Sequence, residues 1–585
     1  MLNYQFQNGI WLVDFEFHPL NSVDGNLPVP VCMVARELNS KKTIHVWRDE
    51  LLKMKTAPFP HGSNSLFVAY YASAEINCFM ALNWPTPVNV LDLYIEFRNI
   101  TNGKILPLGS GLIGALSHFG LDSINGEEKD AMRDLVLRGG SNRVWGESEK
   151  IAILEYCKSD VEALNKLLPA MLPYIDTPRA LLRGQYAVAI SKIEYLGVPI
   201  EMDTLNTLKI NWSNIQSALI SKIDNAYGVY VGSSFKLKLF EQYLIANNIA
   251  WPTTVTGQLD LNDDTFKDMS RIHPQLTLLK ELRCALSQMR LAGLSVGEDG
   301  RNRCILSIFK SKTGRNQPST SKFIFGPSVW LRGLIKPAKG FGIAYIDWSQ
   351  QEFGIAAALS QDEKMMEAYR SGDPYLTFAK QSGYAPLNAT KQSHKAIREQ
   401  FKACVLAVQY GMGAESLSIR INQPIARARE LLDLHRRTYK QFWKWLDCVQ
   451  NQAILGGRLW TTYGWQLLTE VKPNLRSLSN FPMQANGAEM LRLACISLTQ
   501  QGIRICAPVH DAILIEAPLA KLDDIVKQSQ LVMRDVSSTV LNGFHLESEV
   551  KVVRYPERYM DERGIDMWNS VMSVLDLPEK MVASC

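Results

Sequence analysis

Two apolar, strand-like runs each deliver an acidic residue, and this pattern constrains the fold more than any other feature. Asp347 directly follows the run Phe341–Ile346, and Asp511 interrupts two alternating apolar runs within Ile503–Glu516. The alternation predicts strands, and the second segment predicts a hairpin with an acidic tip. Carboxylates held at strand ends offer the oxygen ligands that Mg²⁺ prefers, and paired ions suit phosphoryl transfer. The alternative, ordinary turn aspartates, stays open because sequence spacing cannot show that the two residues meet.

A basic helix is predicted between these two strand regions. Arg398, Lys402, Leu406 and Tyr410 recur every four residues, so on an α-helix they form one slowly rotating stripe. Its cations would meet a triphosphate by charge-assisted hydrogen bonds, and its other half would pack on a base or sugar. The alternative is an amphipathic helix with a solvated basic face. Residues 391–447 hold 11 Lys or Arg and 5 Asp or Glu, so this stretch (11 − 5 = +6) carries the basic excess of a chain with net charge +5.

Composition excludes several classes of protein. Of the 585 residues 46% are hydrophobic and 21% charged, which excludes a disordered, collagen-like or coiled-coil chain and suggests roughly four domains. The ten cysteines form no Cys-x-x-Cys pair, so neither a zinc knuckle nor a disulfide framework is predicted and a reducing compartment is expected. We expect no signal peptide and no transmembrane helix, because no uncharged apolar run reaches about 18 residues.

The first part of the chain reads as an α/β domain of roughly 170 residues, since strands precede helices. Helical patterns dominate from about Lys129 to Met171, and a linker is predicted at Tyr174–Thr177. Ser311–Ser321 is a loop by composition. The predicted strands of this first domain are Ile10–Val13, Val31–Ala35, Thr43–Trp47 and Leu66–Tyr70.

From about Arg183 onward the chain resembles family A DNA polymerases. Five motifs occur in the family's order and spacing, which is far more specific than any one of them. The basic stripe resembles the family's R-x3-K-x3-F/Y-x3-Y-G helix. The other four are Asp347-Trp348-Ser349-Gln350-Gln351-Glu352 for D-Y-S-Q-x-E, Val509-His510-Asp511 for V-H-D, Thr313-Gly314-Arg315 for T-G-R, and Arg476-x3-Asn480-x3-Gln484 for R-x3-N-x3-Q.

The resemblance implies roles for these residues. Asp347 and Asp511 would bind two metal ions, which lower the pKa of the primer 3′-hydroxyl and neutralise the triphosphate. Lys402 could protonate the leaving group, and Glu352 would exclude a ribose 2′-hydroxyl. The predicted nucleotide-binding residues are Arg398, Lys402, Leu406, Tyr410, Glu352, Gln350 and Tyr375. The predicted DNA-binding residues are Arg315, Arg476, Asn480, Gln484 and His510.

Four positions depart from the family pattern. Gly354 stands where many relatives carry Arg, Leu406 replaces an aromatic residue, Tyr375 stands where His is frequent, and Ala512 replaces an acidic residue. None removes a metal carboxylate, so an active polymerase with unusual nucleotide selectivity is expected. Membership of the subgroup from phages that use 2-aminoadenine stays open.

The N-terminal domain resembles DEDD-type 3′–5′ exonucleases. Asp14-x-Glu16 at a strand end matches their first motif, and Tyr156-x3-Asp160 matches their third. The tyrosine would orient the attacking water, and the acids would bind metal. Glu75 fits the spacing of the second motif and is the predicted fourth ligand. Asp92 more readily matches a neighbouring structural residue but stays a rival ligand.

We therefore predict an α/β multidomain chain with an RNase H-like exonuclease domain and a right-hand polymerase domain. The predicted divisions are exonuclease 1–175, connecting and thumb region 176–301, palm 302–361, fingers 362–456, and second palm part with C-terminus 457–585. The expected cofactor is Mg²⁺, two ions at each site, with Mn²⁺ as a substitute. The expected partners are primer-template DNA and dNTPs.

The expected protein is a monomeric replicative polymerase with proofreading, encoded by a phage or mobile element and located in the cytoplasm, the host's if phage-encoded. Two alternatives are a stand-alone 3′–5′ exonuclease with a DNA-binding module and a non-catalytic DNA-binding protein. The first leaves the basic stripe unused, and the second predicts broken metal sites, whereas the carboxylates are present in the sequence.

Overall fold

The computed structural model describes residues 5–18, 27–122, 126–138, 144–254, 256–288, 291–326, 328–470 and 473–575. Its strands are β1 Ile10–His18, β2 Val29–Glu37, β3 Thr43–Trp47, β4 Leu66–Ala69, β5 Val90–Asp92, β6 Val198–Pro199, β7 Tyr230–Val231, β8 Ser234–Phe235, β9 Arg301–Asn302, β10 Phe341–Trp348, β11 Arg458–Trp460, β12 Gln466–Leu468, β13 Arg504–Val509, β14 Ala512–Pro518 and β15 Ser548–Arg554.

The helices in the first half of the chain are α1 Arg48–Leu51, α2 Ala72–Ala81, α3 Leu93–Thr101, α4 Leu112–His118, α5 Gly126–Leu137, α6 Glu147–Met171, α7 Thr177–Leu196, α8 Met202–Ile210, α9 Trp212–Asp224, α10 Leu237–Ala246, α11 Asp263–Ile272 and α12 Thr277–Gln288. Those in the second half are α13 Gln351–Ser360, α14 Glu363–Arg370, α15 Pro374–Gln381, α16 Lys395–Gln409, α17 Ala414–Ile421, α18 Ile425–Thr438, α19 Lys440–Gly456, α20 Leu475–Gln500, α21 Leu522–Val540 and α22 Ile565–Leu575.

The N-terminal sheet has the strand order β3-β2-β1-β4-β5. Strand β2 runs antiparallel to β1 and β3, whereas β1, β4 and β5 are parallel, which agrees with the RNase H-like sheet that the resemblance predicted. Alternation along β1 divides the core between the two faces of the sheet. Leu12 packs with Ile153 of α6, while Val13 and Phe15 pack with Phe79 of α2.

The C-terminal sheet has the order β13-β14-β10-β15 and is entirely antiparallel. Strands β13 and β14 form the hairpin that the sequence predicts. Seven helices, α13 to α19, separate β10 from β11 along the chain, and α20 and α21 pack beside the sheet. The α/β multidomain prediction is thereby confirmed. Ser311–Ser321 is a loop, as predicted.

Helix α7 connects the two sheets. It packs against α2 and β5 of the N-terminal domain and against α20 and β13 of the C-terminal one. At Gly184 a Cβ atom would lie 1.9 Å from the Val90 carbonyl oxygen, so only glycine permits this approach. One residue earlier, Arg183 makes a bidentate ion pair with Glu96 of α3, with both N–O distances at 2.7 Å and both side chains buried. The predicted linker after α6 is therefore short, and the domains share a buried interface.

Within the described ranges, no helix is both long enough and apolar enough to cross a lipid bilayer.

Replacing Arg183 should destabilise the protein strongly. We expect Arg183→Ala to lower the free energy of unfolding by about 3–5 kcal/mol, because Glu96 is left buried and charged. The matched control is Arg179→Ala on the same helix, since Arg179 and its partner Asp176 are each 48% exposed. Its cost should stay within about 1 kcal/mol. Urea denaturation followed by circular dichroism measures both, and equal losses would contradict the assignment.

Candidate active sites

The register between β10 and β14 brings Asp347 to Asp511. Asp347 lies directly opposite Ala512, and the Trp348 amide donates to the Asp511 carbonyl at 3.2 Å. His510 adopts a left-handed conformation with φ of 57°, which turns the chain at the hairpin tip. The two predicted carboxylates therefore meet at one edge of the sheet.

Burial raises the pKa of both aspartates. Burial is the main cause for Asp347, followed by the charges of Asp511 and Glu549. Burial also raises the pKa of Asp511, while Arg315 and His510 oppose that rise. Asp347 Oδ1 is buried without a hydrogen-bond partner among the described residues. This acceptor set fits a divalent cation, since oxygen ligands and net negative charge are what such ions require.

Glu352 and Arg315 form an ion pair beside these aspartates. Arg315 Nη2 lies 3.2 Å from Glu352 Oε1, and both side chains are largely buried. Burial raises the pKa of Tyr410, and the charge of Glu352 adds to that rise. Gln350 directly precedes α13 in a left-handed conformation. The structure thus brings together Asp511, Arg315, Glu352 and Tyr410.

The basic stripe lies on α16 as the sequence predicted, except for its last member. Phe401, Cys404 and Val405 are buried on the inner face of α16. Arg398, Lys402 and Leu406 are half-buried on the other face, while Tyr410 is the residue that ends the helix.

The cations of the stripe already have neighbours. Arg398 Nε donates to Asp373 at 2.6 Å, a partner that the sequence reading missed. The ring of Tyr375 lies 5.4 Å from the Arg398 guanidinium carbon and 5.8 Å from Lys402 Nζ. A phosphate bound there would share or replace the Asp373 contact of Arg398.

The predicted DNA contacts fall in two places. Arg476, Asn480 and Gln484 follow one face of α20 at intervals of four residues, with Arg476 exposed and the other two half-buried. Arg315 and His510 line a cleft of about 590 Å³, together with Arg332 and Arg563 among other residues. This cleft is strongly basic, which suits a polyanion.

A second carboxylate cluster lies in the N-terminal domain. Asp14, Glu16 and Asp160 each place one carboxylate oxygen within 4.8 Å of the others, because Asp14 and Glu16 share one face of β1 while Asp160 projects from α6. Burial raises the pKa of all three. Asp14 Oδ2 is buried and lacks a hydrogen-bond partner in the described part of the chain. The donor set again fits a divalent cation.

Glu75 and Asp92 occupy different environments. Glu75 Oε2 accepts from the Phe15 amide at 2.8 Å, and burial followed by the charges of Asp14 and Glu16 raises its pKa. Asp92 instead precedes α3 and accepts from the amides of Tyr71, Ala72, Tyr94 and Ile95. Asp92 is thus a helix cap, whereas Glu75 lies beside the cluster.

A cavity of about 290 Å³ opens beside this cluster. Glu16, Tyr71, Tyr156 and Arg133 are among its lining residues. Lys129 lies close by on α5 and donates to both oxygens of Asp160 at 2.8 and 2.7 Å. A cation bound by Asp160 would compete with that lysine.

Two charged neighbours of the carboxylate clusters were not predicted from the sequence. Lys129 belongs to no motif, so nothing in the sequence signalled its contact with Asp160. Glu549 lies directly opposite Asp347 in the β10–β15 register. Its approach depends on strand pairing across 200 residues, which local patterns do not encode.

The C-terminal part of the chain is similar to known proteins. Residues 326–554 match the sequence model described as DNA polymerase family A. This segment is similar in sequence to family A DNA polymerases. DNA polymerase I of Deinococcus radiodurans is 24% identical over 413 residues, which are 63% of this chain and 42% of that protein. DNA polymerase I of Aquifex aeolicus is 22% identical over 454 residues, 69% of this chain and 76% of that protein.

A solved structure shares the fold over nearly the whole chain. It is described as the POL domain of Pol1 from M. smegmatis in complex with DNA primer-template and dNTP. The TM-score is 0.70 at 18% identity, covering 94% of this chain and 96% of the other. The present chain thus matches only about two fifths of the Deinococcus protein but shares the fold of nearly all of the chain of known structure.

Close packing explains the glycine at position 354. A Cβ atom at this position would lie 2.4 Å from Leu546 Cδ2 and 2.9 Å from the Tyr369 ring. The Tyr369 hydroxyl donates to the Ser349 carbonyl and accepts from the Glu547 amide, each at 3.0 Å. Tyr369 and Leu546 thus fill the space that a larger side chain at position 354, such as the arginine implied by the resemblance, would need.

Gly354→Ala should therefore destabilise the protein, although alanine favours helices by about 1 kcal/mol over glycine. Overpacking costs about 1–3 kcal/mol, so we expect a net loss of about 1 kcal/mol. Gly62→Ala is the control, since no atom lies within 4 Å of its added Cβ. Thermal melting measures both, and a stabilised Gly354→Ala variant would show that the helix accommodates the methyl group.

Proposed function

We propose that the chain is a template-directed DNA polymerase that adds dNTPs to a primer 3′-hydroxyl and removes mismatched ends with a 3′–5′ exonuclease. The observation that carries the polymerase part is the meeting of Asp347 and Asp511 beside the Arg315–Glu352 pair. Residues 302–361 and 457–585 would form the palm, 362–456 the fingers, and 176–301 the connecting and thumb region. The phage or mobile-element origin stays a prediction from the sequence.

In the polymerase site, divalent cations held by Asp347 and Asp511 would supply the charge that activates a primer hydroxyl and neutralises a leaving pyrophosphate. Arg398 and Lys402 would orient the triphosphate, and Lys402 would give a proton to the leaving oxygen. Glu352, held by Arg315, would lie against the sugar and exclude a 2′-hydroxyl.

In the exonuclease site, Asp14, Glu16 and Asp160 would hold the cations, and Glu75 would complete the acidic set. Tyr156 would orient the attacking water through its hydroxyl. The neighbouring cavity lined by Arg133 and Tyr71 would admit a frayed 3′ end, with the cation of Arg133 near its phosphates.

Primer extension tests the polymerase assignment. Wild type should extend a primer with dNTPs and Mg²⁺, and Asp511→Asn should lose more than about 100-fold in rate because a metal ligand is removed. Asp535→Asn, an exposed carboxylate on α21, is the control and should keep the wild-type rate. Absence of extension by wild type with Mg²⁺ or Mn²⁺ would reject the polymerase function.

Ribonucleotide discrimination tests Glu352. We expect Glu352→Ala to incorporate rNTPs at least about tenfold better relative to dNTPs, since the residue that excludes the 2′-hydroxyl is gone. Glu363→Ala on α14 is an exposed control and should discriminate like wild type. Single-nucleotide incorporation measures kcat/KM for each substrate. An unchanged ratio in Glu352→Ala would refute the assignment.

Excision of a mismatched primer tests the exonuclease. We expect Asp14→Ala/Glu16→Ala to lose excision by more than about 100-fold, because two carboxylates of the cluster are removed. Extension of a matched primer should be unaffected. Digestion by the double variant at the wild-type rate would place the nuclease site elsewhere, and absence of digestion by wild type would reject the exonuclease activity.

A further inference from the structure

We propose that α3 of the N-terminal domain positions Arg315 in the polymerase site, with Asn102 as the positioning residue, so that the N-terminal domain sets nucleotide selectivity. This inference rests on the proposed polymerase function and goes beyond it. It assigns the N-terminal domain a role in nucleotide selection that is independent of excision.

Asn102 directly follows α3 and is almost fully buried at 1% exposure. Its Nδ2 donates to the carbonyl oxygens of Lys312 at 2.7 Å and Gln466 at 2.6 Å. Its own carbonyl accepts from the Leu468 amide at 2.8 Å. At Gly103 a Cβ atom would lie 2.2 Å from the Leu468 carbonyl oxygen. The end of α3 therefore joins strand β12 to the loop that contains Lys312.

That loop is a tight turn leading to Arg315. The Arg315 amide donates to Ser311 Oγ at 2.8 Å, and the Ser311 amide donates to the Arg315 carbonyl at 3.3 Å. Trp465 Nε1 adds a second hydrogen bond to the Lys312 carbonyl at 3.1 Å. Because the turn closes on itself, the position of Lys312 fixes the position of Arg315.

Further contacts keep α3 from moving independently. Arg98 Nη2 donates to the Lys310 carbonyl at 2.7 Å, and Asn99 accepts two hydrogen bonds from Gln466. Glu96, in the middle of α3, is held by the buried ion pair with Arg183. A nine-residue helix fixed along its length is stiff, so it transmits the position of one domain to the other.

The position of Arg315 determines how Glu352 is held. Its carboxylate pairs with Arg315 at 3.2 Å, so a displaced loop would leave Glu352 free to rotate away from the sugar. Glu352 discriminates against ribose only while its carboxylate is held in place. Removing the Asn102 side chain should therefore relax selectivity, although Asn102 lies outside the polymerase domain.

The test is single-nucleotide incorporation by the full chain under single-turnover conditions. For Asn102→Ala we expect the ratio of kcat/KM for dATP to kcat/KM for ATP to fall about three- to tenfold, the effect of losing one or two hydrogen bonds. Excision of single-stranded DNA should keep the wild-type rate. If wild type does not polymerise, the proposed function itself fails, which is a distinct outcome.

Asn89→Ala is the matched control. Asn89 also lies in the N-terminal domain and donates to two backbone carbonyls, those of Ser63 and Ser65, at 2.8 and 3.1 Å. Those partners lie within its own domain, so we expect discrimination to stay at the wild-type value. Wild-type discrimination by Asn102→Ala, or an equal loss in Asn89→Ala, would overturn the proposal.

Two further variants keep the proposal testable. Should Asn102→Ala fail to fold, Arg98→Ala removes the hydrogen bond to the Lys310 carbonyl and should lower discrimination in the same direction. An unchanged ratio in Arg98→Ala would overturn the proposal. In the Glu352→Ala background, Asn102→Ala should have no further effect on the ratio, because its action passes through Glu352. An additive effect would contradict that route.

Discussion

The pairing of β10 with β14 is the constraint on which the polymerase site depends. Because side chains alternate across a strand, a slip of one residue would send Asp347 to the other face and away from Asp511. Ala344, Ile346 and Trp348 are buried on the opposite face of β10, so such a slip would move these apolar side chains to the face that carries Asp347. The same register places Ala512 and Glu549 on either side of Asp347. Core packing thus determines where the carboxylates lie.

Both sites concentrate like charges in partly buried positions, which is costly without compensation. Nearby cations offset the repulsion. Lys129 pairs with Asp160 in the N-terminal domain, and Arg315 lowers the pKa of Asp511 in the C-terminal one. Each site keeps negative charge and a buried carboxylate oxygen without a hydrogen-bond partner among the described residues, on Asp14 and on Asp347. Both features favour binding of a cation. Repulsion between the carboxylates is therefore one reason why these clusters are candidate metal sites.

The two domains share one buried interface. Helix α7 contacts both sheets, and the Glu96–Arg183 pair lies inside that interface, where an unmatched charge would be destabilising. Helix α3 extends the interface from its cap Asp92 to Asn102, which contacts the turn that carries Arg315. The two domains are in this way joined by α7 and by the short helix α3.

The sequence by itself determined several local elements. Strand Thr43–Trp47, the hairpin around Asp511 and the stripe on α16 follow from apolar periodicity, and that periodicity reflects which face each element buries. Motif spacing placed Asp14 with Glu16 and Tyr156 with Asp160, because residues two apart in a strand and four apart in a helix share a face. The family resemblance supplied their roles, which remain predictions.

Tertiary structure alone decided which distant groups meet. Spacing left Glu75 and Asp92 as rivals, and the fold separated them by turning Asp92 into a helix cap. The partners Asp373, Lys129 and Glu549 had no local signal, since each contact depends on strand register or on helix packing. Sequence patterns encode the face on which a side chain lies, whereas the partner across that face is fixed only when the elements pack.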